Sequence, residues 1–289
     1  MAVNNSLAAR KPGRLSMAAY LDQDAVRNQI NSIVGGKNGT RFISSVVSAV
    51  NNNPALQECS HPSILSAALL GEALNLSPSP QLGQYYMVPF DDKDKGKVAQ
   101  FQLGYKGYIQ LAIRSGQYKK LNVLAIKEGE LIRFDPLNEE IEVQLIEDEE
   151  ERENAETIGY YAMFEYVNGF RKALYWSKKR MEAHAMKYSK GYASDKRKGT
   201  SWTFWSRDFD GMAYKTMLRQ LISKWGIMSI DMVTAIDADM TVIREDGTKE
   251  YVDSPDEPRV IVDAAPEESS APEKPAQADD SVKAALMGK

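Results

Sequence analysis

The chain is 289 residues long, with 43% apolar and 26% charged residues; this suits one large or two small globular domains, offers no run of ~18 apolar residues to span a membrane, and gives no expectation of a secretory signal. Its single cysteine, Cys59, excludes an internal disulfide and points to a reducing cytoplasm, and with only two histidines beside it a Cys/His zinc centre is not expected. The net charge of −4 is segregated, with −9 over 139–156, +10 over 171–225 and −7 over 245–289, so the local balance speaks for a nucleic-acid partner although the whole-chain value does not.

Residues 1–14 are small and polar, with Pro12 and Gly13, and are expected to be disordered. The spacing predicts a helix from Leu15 to Val34 ended by Gly35 and Gly36, and a second from Arg41 to Val50 with Phe42, Ile43, Val46, Val47 and Val50 at helical spacing. Asn51 to Pro54 breaks it, and Ser60 with Pro62 starts a third helix through Leu74. The pattern then turns extended. Gln84–Phe90 and Lys97–Leu103 flank a polar turn as a hairpin. Gly104–Ser115 reads as a short helix stopped by Gly116, Lys119–Lys127 as a strand, 131–146 as further strands, and acidic 147–156 as a loop or solvated turn. Thr157–Val167 and Phe170–Trp176 flank Asn168-Gly169, a strong hairpin signal. Ser177 caps a helix to Lys187, Lys190–Thr200 reads as a basic loop, Phe204–Trp225 as one long helix closed by Gly226, and Ser229–Met240 as a last short helix. From about residue 244 the Pro, Glu, Ala, Ser and Asp content cannot bury enough surface to order itself. The class is therefore α+β: an N-terminal helical section, then β-hairpins and sheet backed by a long helix, in one domain over 15–243, followed by a flexible acidic tail over 244–289 for docking a partner.

Enzyme signatures are missing. Gly35–Thr40 has the wrong order and spacing for a phosphate loop, and neither a nucleophile elbow nor a metalloprotease helix is present. His61 and His184 have no sequence neighbour to make either a general base, and Cys59 has no activating base. Asp208 and Asp210 point apart on a helix, and Asp91, Asp92 and Asp94 lack the closing glutamate of a calcium loop. No catalytic residue, metal ligand or cofactor site is assigned.

The positive signal is basic and aromatic. All four tryptophans lie between 176 and 225, and the window 171–225 combines 10 aromatics with 14 Lys/Arg, the mixture that tracks a phosphate backbone while stacking its bases. A core position is the commoner explanation of any one tryptophan; the window as a whole favours DNA. On the helix 204–225, Tyr214, Met217, Leu218, Leu221, Ile222 and Trp225 form an apolar stripe, while Arg207, Gly211, Lys215 and Arg219 recur by four on another face. Helix 104–115 repeats the device, with Ile109, Ala112 and Ile113 expected inward and Lys106, Gln110 and Arg114 outward, followed by Lys119 and Lys120. Two such stripes could wall a groove, and the 190–200 loop with Lys198 could clamp a strand or simply stay in water.

Residues 101–123, FQLGYKGYIQLAIRSGQYKKLNV, resemble the hallmark segment of the RecT family of phage single-strand annealing proteins. Residues 42–59 and 63–90 look like that family's N-terminal half, and 176–190 and 202–226 its C-terminal half, so the resemblance runs in order over about residues 15–240. It implies an α+β fold that binds single-stranded DNA, pairs it with a complementary strand without ATP and assembles into rings or helical filaments. It also implies work beside a phage 5′→3′ exonuclease and, through the tail, contact with host single-strand-binding protein. Carried onto this chain, the DNA-binding residues are Lys106, Tyr108, Arg114, Lys119 and Lys120, then Lys178, Lys179, Trp205, Arg207, Lys215 and Arg219, with Arg41, Gln84 and Tyr86. The alternative is a passive single-strand-binding protein that hides base edges, and a metal-dependent nuclease using Asp208, Asp210 or Asp237 is a third reading.

Overall fold

The computed structural model describes residues 15–92, 95–243 and 249–251; the expected disordered N-terminus, Asp94 and nearly all of the acidic tail lie outside the described residues. Ser16 accepts from the Ala19 N–H at 3.2 Å and opens α1 (Met17–Leu21). The chain turns at Asp22 and restarts as α2 (Asp24–Val34), so one expected helix is two. Gly35, at φ 79°, ends α2, and α3 (Gly36–Asn51) begins at the next residue rather than at Arg41. The Gly35 carbonyl accepts from both Asn38 and Gly39, which lets the new helix nucleate at once. After a 3-10 turn at Leu56–Glu58 comes α4 (His61–Ala73), apolar on every side and buried at Ile64, Leu65, Ala67, Ala68 and Leu69, as the central helix of this section must be.

The remaining elements are β1 (Tyr85–Asp92), β2 (Gly96–Leu103), α5 (Tyr105–Arg114), β3 (Tyr118–Lys127), β4 (Leu131–Asp135), β5 (Glu140–Val143), α6 (Glu149–Asn154), β6 (Thr157–Tyr166), β7 (Arg171–Ser177), α7 (Lys178–Tyr188), α8 (Lys190–Lys198), α9 (Phe204–Arg207), α10 (Phe209–Trp225), α11 (Ile230–Ala238), β8 (Thr241–Ile243) and β9 (Lys249–Tyr251). The mixed class read from the sequence is the observed one. β9 lies past residue 243, where the flexible tail was expected to begin.

Strands order as β1-β2-β8-β9 in one sheet and β3-β6-β7 in a second, with β4-β5 a separate ribbon. β1 and β2 pair from Tyr85 opposite Leu103 to Asp92 opposite Gly96. The β6–β7 hairpin turns through Gly169 at φ 87°, as Asn168-Gly169 demands. Two cores result. One joins α1–α5 and α11 to the first sheet; the other joins α7–α9 to the second. Helix α10 serves both, turning Leu218 and Ile222 to the first and Ala213, Met217 and Leu221 to the second. Residues four apart share a face, so two offset i, i+4 rows give the helix two buried sides. The single stripe read from the sequence is thus split between two cores, and its last member, Trp225, is half exposed.

Three further segments differ from expectation for local reasons. Asp208 accepts from the Gly211 N–H at 2.9 Å and caps α10, breaking the expected 204–225 helix after α9. The basic stretch 190–198 is helical, capped by the Ser189 hydroxyl and stopped by Gly199 at φ 66°. The acidic run contains α6, where Asp148 caps and three glutamates occupy the first turn, favoured there by the helix dipole. Its one cation, Arg152, reaches back to the fully buried Glu130 at 2.6 Å and to the Ala125 carbonyl at 2.9 Å. Burial pushes the Glu130 carboxyl up, but Arg152 and the Lys127 and Ile146 N–H groups outweigh it and hold Glu130 below its usual range.

Candidate nucleic-acid interface

The segment from Leu74 to Gln84, between α4 and β1, gathers several of the sequence-nominated residues. Gln84 accepts from the Ser77 N–H at 2.7 Å and pins the loop at its base. Arg114 donates to the Leu74 carbonyl at 2.7 Å and so caps the C-terminus of α4, as a cation at that dipole end should. Arg41 lies with Ser44, Ser45 and Ser48 along an open groove whose other wall is Ser77 to Gln81. The Tyr86 hydroxyl and the Lys106 methylenes crowd Gly83, whose φ of 61° a side chain would strain. A Cβ on Gly104 or Gly107 would strike the Gly83 or Gln84 carbonyl, so both glycines are needed for α5 to approach this loop. Lys106, Gln110 and Arg114 are exposed on α5, as read from the sequence.

A second group meets the first through rings. The Tyr86 ring lies 5.5 Å from that of Phe204, and burial, then the Asp208 charge, raise the Tyr86 hydroxyl above its ordinary range. Arg207 is exposed and donates to the Ser201 carbonyl at 2.9 Å. Lys198 is exposed at the end of α8. Lys178 is half-buried and pairs with Glu156 at 2.9 Å, and Lys179 is exposed beside it. Lys119 and Lys120 straddle Glu165 at 2.6 and 3.5 Å, which holds that carboxyl below its usual range and neutralises part of their charge.

Three readings are corrected by burial and a fourth by exposure. Tyr108 is fully buried in the first core and offers no face to a base. Trp205 packs 5.2 Å from Phe209 and 6.1 Å from Tyr192 in the second core, because the break at Asp208 turns α9 inward. Lys215 is 6% exposed, with its ammonium 2.8 Å from the fully buried Asp239, which also takes Arg219 at 3.1 Å and the Leu103 N–H at 2.9 Å. The stripe Arg207, Gly211, Lys215 and Arg219 is therefore not one open face: its C-terminal half ties α10 to β2 and to the residue that ends α11. Ile113, expected inward, is exposed, while Leu111 takes the buried position.

Two residues that the sequence reading did not single out lie in the stretch from α8 to α9. Trp202 is 76% exposed, against 6% for Trp176 and Trp205 and 50% for Trp225. Buried Asp195 collects hydroxyls and N–H groups from the segment after α8. The run of Thr200, Ser201, Thr203 and Ser206 a few residues past an aspartate was the available signal. No group of three or more possible metal ligands occurs among the described residues, and none of their helices is long and apolar enough to cross a membrane.

The model described as the RecT family matches residues 40–254. The chain is 40% identical over 262 residues to the uncharacterized protein YqaK of Bacillus subtilis, covering 90% of this chain and 83% of that one. It is 27% identical over 225 residues to Protein RecT of Escherichia coli, covering 76% and 79% respectively.

Proposed function

Because the chain belongs to the RecT family, a family of recombination and annealing proteins, we propose that it binds single-stranded DNA and pairs it with a complementary strand without using ATP. The observation that carries this reading is that exposed Lys106 and the Tyr86 hydroxyl both crowd Gly83, and that the Tyr86 ring lies 5.5 Å from Phe204, whose own segment carries exposed Trp202 and Arg207. Cations neutralise the phosphates of one strand, rings support its bases, and the open side leaves base edges available to a second strand. Copies assembled side by side, as rings or a filament, would present a long strand in register. A phage exonuclease would supply that strand, and host single-strand-binding protein would be met through the acidic tail, in the bacterial cytoplasm.

The test mixes two complementary oligonucleotides carrying a donor and an acceptor dye with the protein, without ATP, over a salt series. Binding is expected to weaken with a log–log slope of roughly −0.7 per phosphate neutralised. Dyes that approach faster than without protein, on intact strands, support annealing. Binding that slows pairing identifies a passive coating protein instead.

A further inference from the structure

Between α8 and α9 the chain makes a short loop whose geometry depends on one carboxylate. Asp195 is 4% exposed. Its Oδ1 accepts from the Thr200 hydroxyl at 2.6 Å. Its Oδ2 accepts from the Trp202 N–H at 3.0 Å, the Thr203 N–H at 2.8 Å, the Thr203 hydroxyl at 2.9 Å and the Ser206 hydroxyl at 2.7 Å. Above all the Thr200 hydroxyl, then these backbone and hydroxyl donors, hold the carboxyl well below its usual range against burial. A loop with so many bonds to one buried centre is rigid, yet the side chain at its middle, Trp202, is 76% exposed. A soluble chain gains nothing in stability by ordering a segment in order to hold an indole in water. Trp225 makes the contrast: half exposed, its face is covered by the Lys172 ammonium at 3.7 Å.

We propose that Trp202 stacks on one unpaired base of the bound strand, and that Asp195 is the positioning residue that presents it. The proposal deepens the single-strand-binding reading above and rests on it. The surroundings fit an unpaired nucleotide: exposed Arg197 and Lys198 end the preceding helix, next to Lys196, which pairs with Glu182 at 2.9 Å, and Arg207 reaches back to the Ser201 carbonyl. Phosphates would sit on these cations while the base takes the indole face.

The experiment compares binding of the full chain to an oligothymidylate and to an abasic strand of the same length, at one salt concentration. Trp202→Ala is expected to weaken binding to the oligothymidylate by about five-fold or more and to leave the abasic strand unchanged, while Trp202→Phe retains most of the affinity. Asp195→Ala is expected to reproduce the base-dependent loss, with Trp202→Ala/Asp195→Ala no weaker than either alone. If Asp195→Ala does not fold, Thr200→Val carries the same comparison. Equal losses on both strands, or additive losses in the double variant, would overturn the proposal. So would wild-type affinity that does not depend on the bases. A wild-type chain that binds neither strand would overturn the function itself, which separates the two failures.

Discussion

Replacing Lys215 with methionine separates a DNA contact from a structural ion pair. Methionine keeps the apolar length of the stem that packs along α10 and removes only the ammonium. In the wild type that ammonium lies 2.8 Å from a carboxylate with no exposed surface. Removing one partner of a buried pair costs about 3–5 kcal/mol. Here Arg219 at 3.1 Å and the Leu103 N–H at 2.9 Å still serve Asp239, so the loss is expected at about 2–3 kcal/mol. At about 2–4 °C per kcal/mol for a chain of this size, the melting temperature should fall by about 4–12 °C. Thermal unfolding by circular dichroism reads this directly. Single-strand binding well below the transition should keep its wild-type salt slope, whereas Lys106→Ala should weaken binding to all sequences alike and make that slope shallower by roughly 0.7. A Lys215→Met protein of unchanged stability with a shallower salt slope would refute the assignment and return Lys215 to the phosphate surface.

Arg152→Ala should strip Glu130 of its charged partner and loosen the acidic helix α6 from the second sheet. A loss of about 3 kcal/mol is expected in urea unfolding, with faster proteolysis between 147 and 156; a neutral result would mean that the buried carboxylate is satisfied without the arginine. His184 lies between the Trp176 and Tyr188 rings, and burial, then Arg219, Arg180 and Lys187, lower its pKa to about 4. The folded state therefore holds its proton less well than the unfolded chain, whose histidine titrates near 6.5. Stability is unaffected by this group above pH 6.5, and is lost progressively as the pH falls from about 6.5 to about 4. His184→Phe should flatten that part of the stability profile; an identical profile in wild type and variant would show that His184 is not the responsible group.

Local structure was legible wherever it rests on neighbouring residues. Asn168-Gly169 demanded its hairpin, Gly116 stopped its helix, and Ser177 and Ser229 capped theirs, because a left-handed φ or an orphan N–H is settled within four residues. The basic and aromatic composition of 171–225 pointed to DNA, and the ordered resemblance over about 15–240 pointed to the family. What the sequence left undecided was which charges and rings remain in water. A spacing of four places Lys215 on a face of α10, but whether that face meets solvent or Asp239 depends on a residue 24 positions on that folds back across β2. Trp205 and Trp202 are three residues apart and equally aromatic; the cap at Asp208 turns one into the core, and the carboxylate of Asp195 holds the other out. Periodicity determines which side chains share a face. Whether that face is covered is decided by the elements packed on it, and burial, which fixes whether a lysine pairs with a carboxylate or is free for a phosphate, follows from that packing.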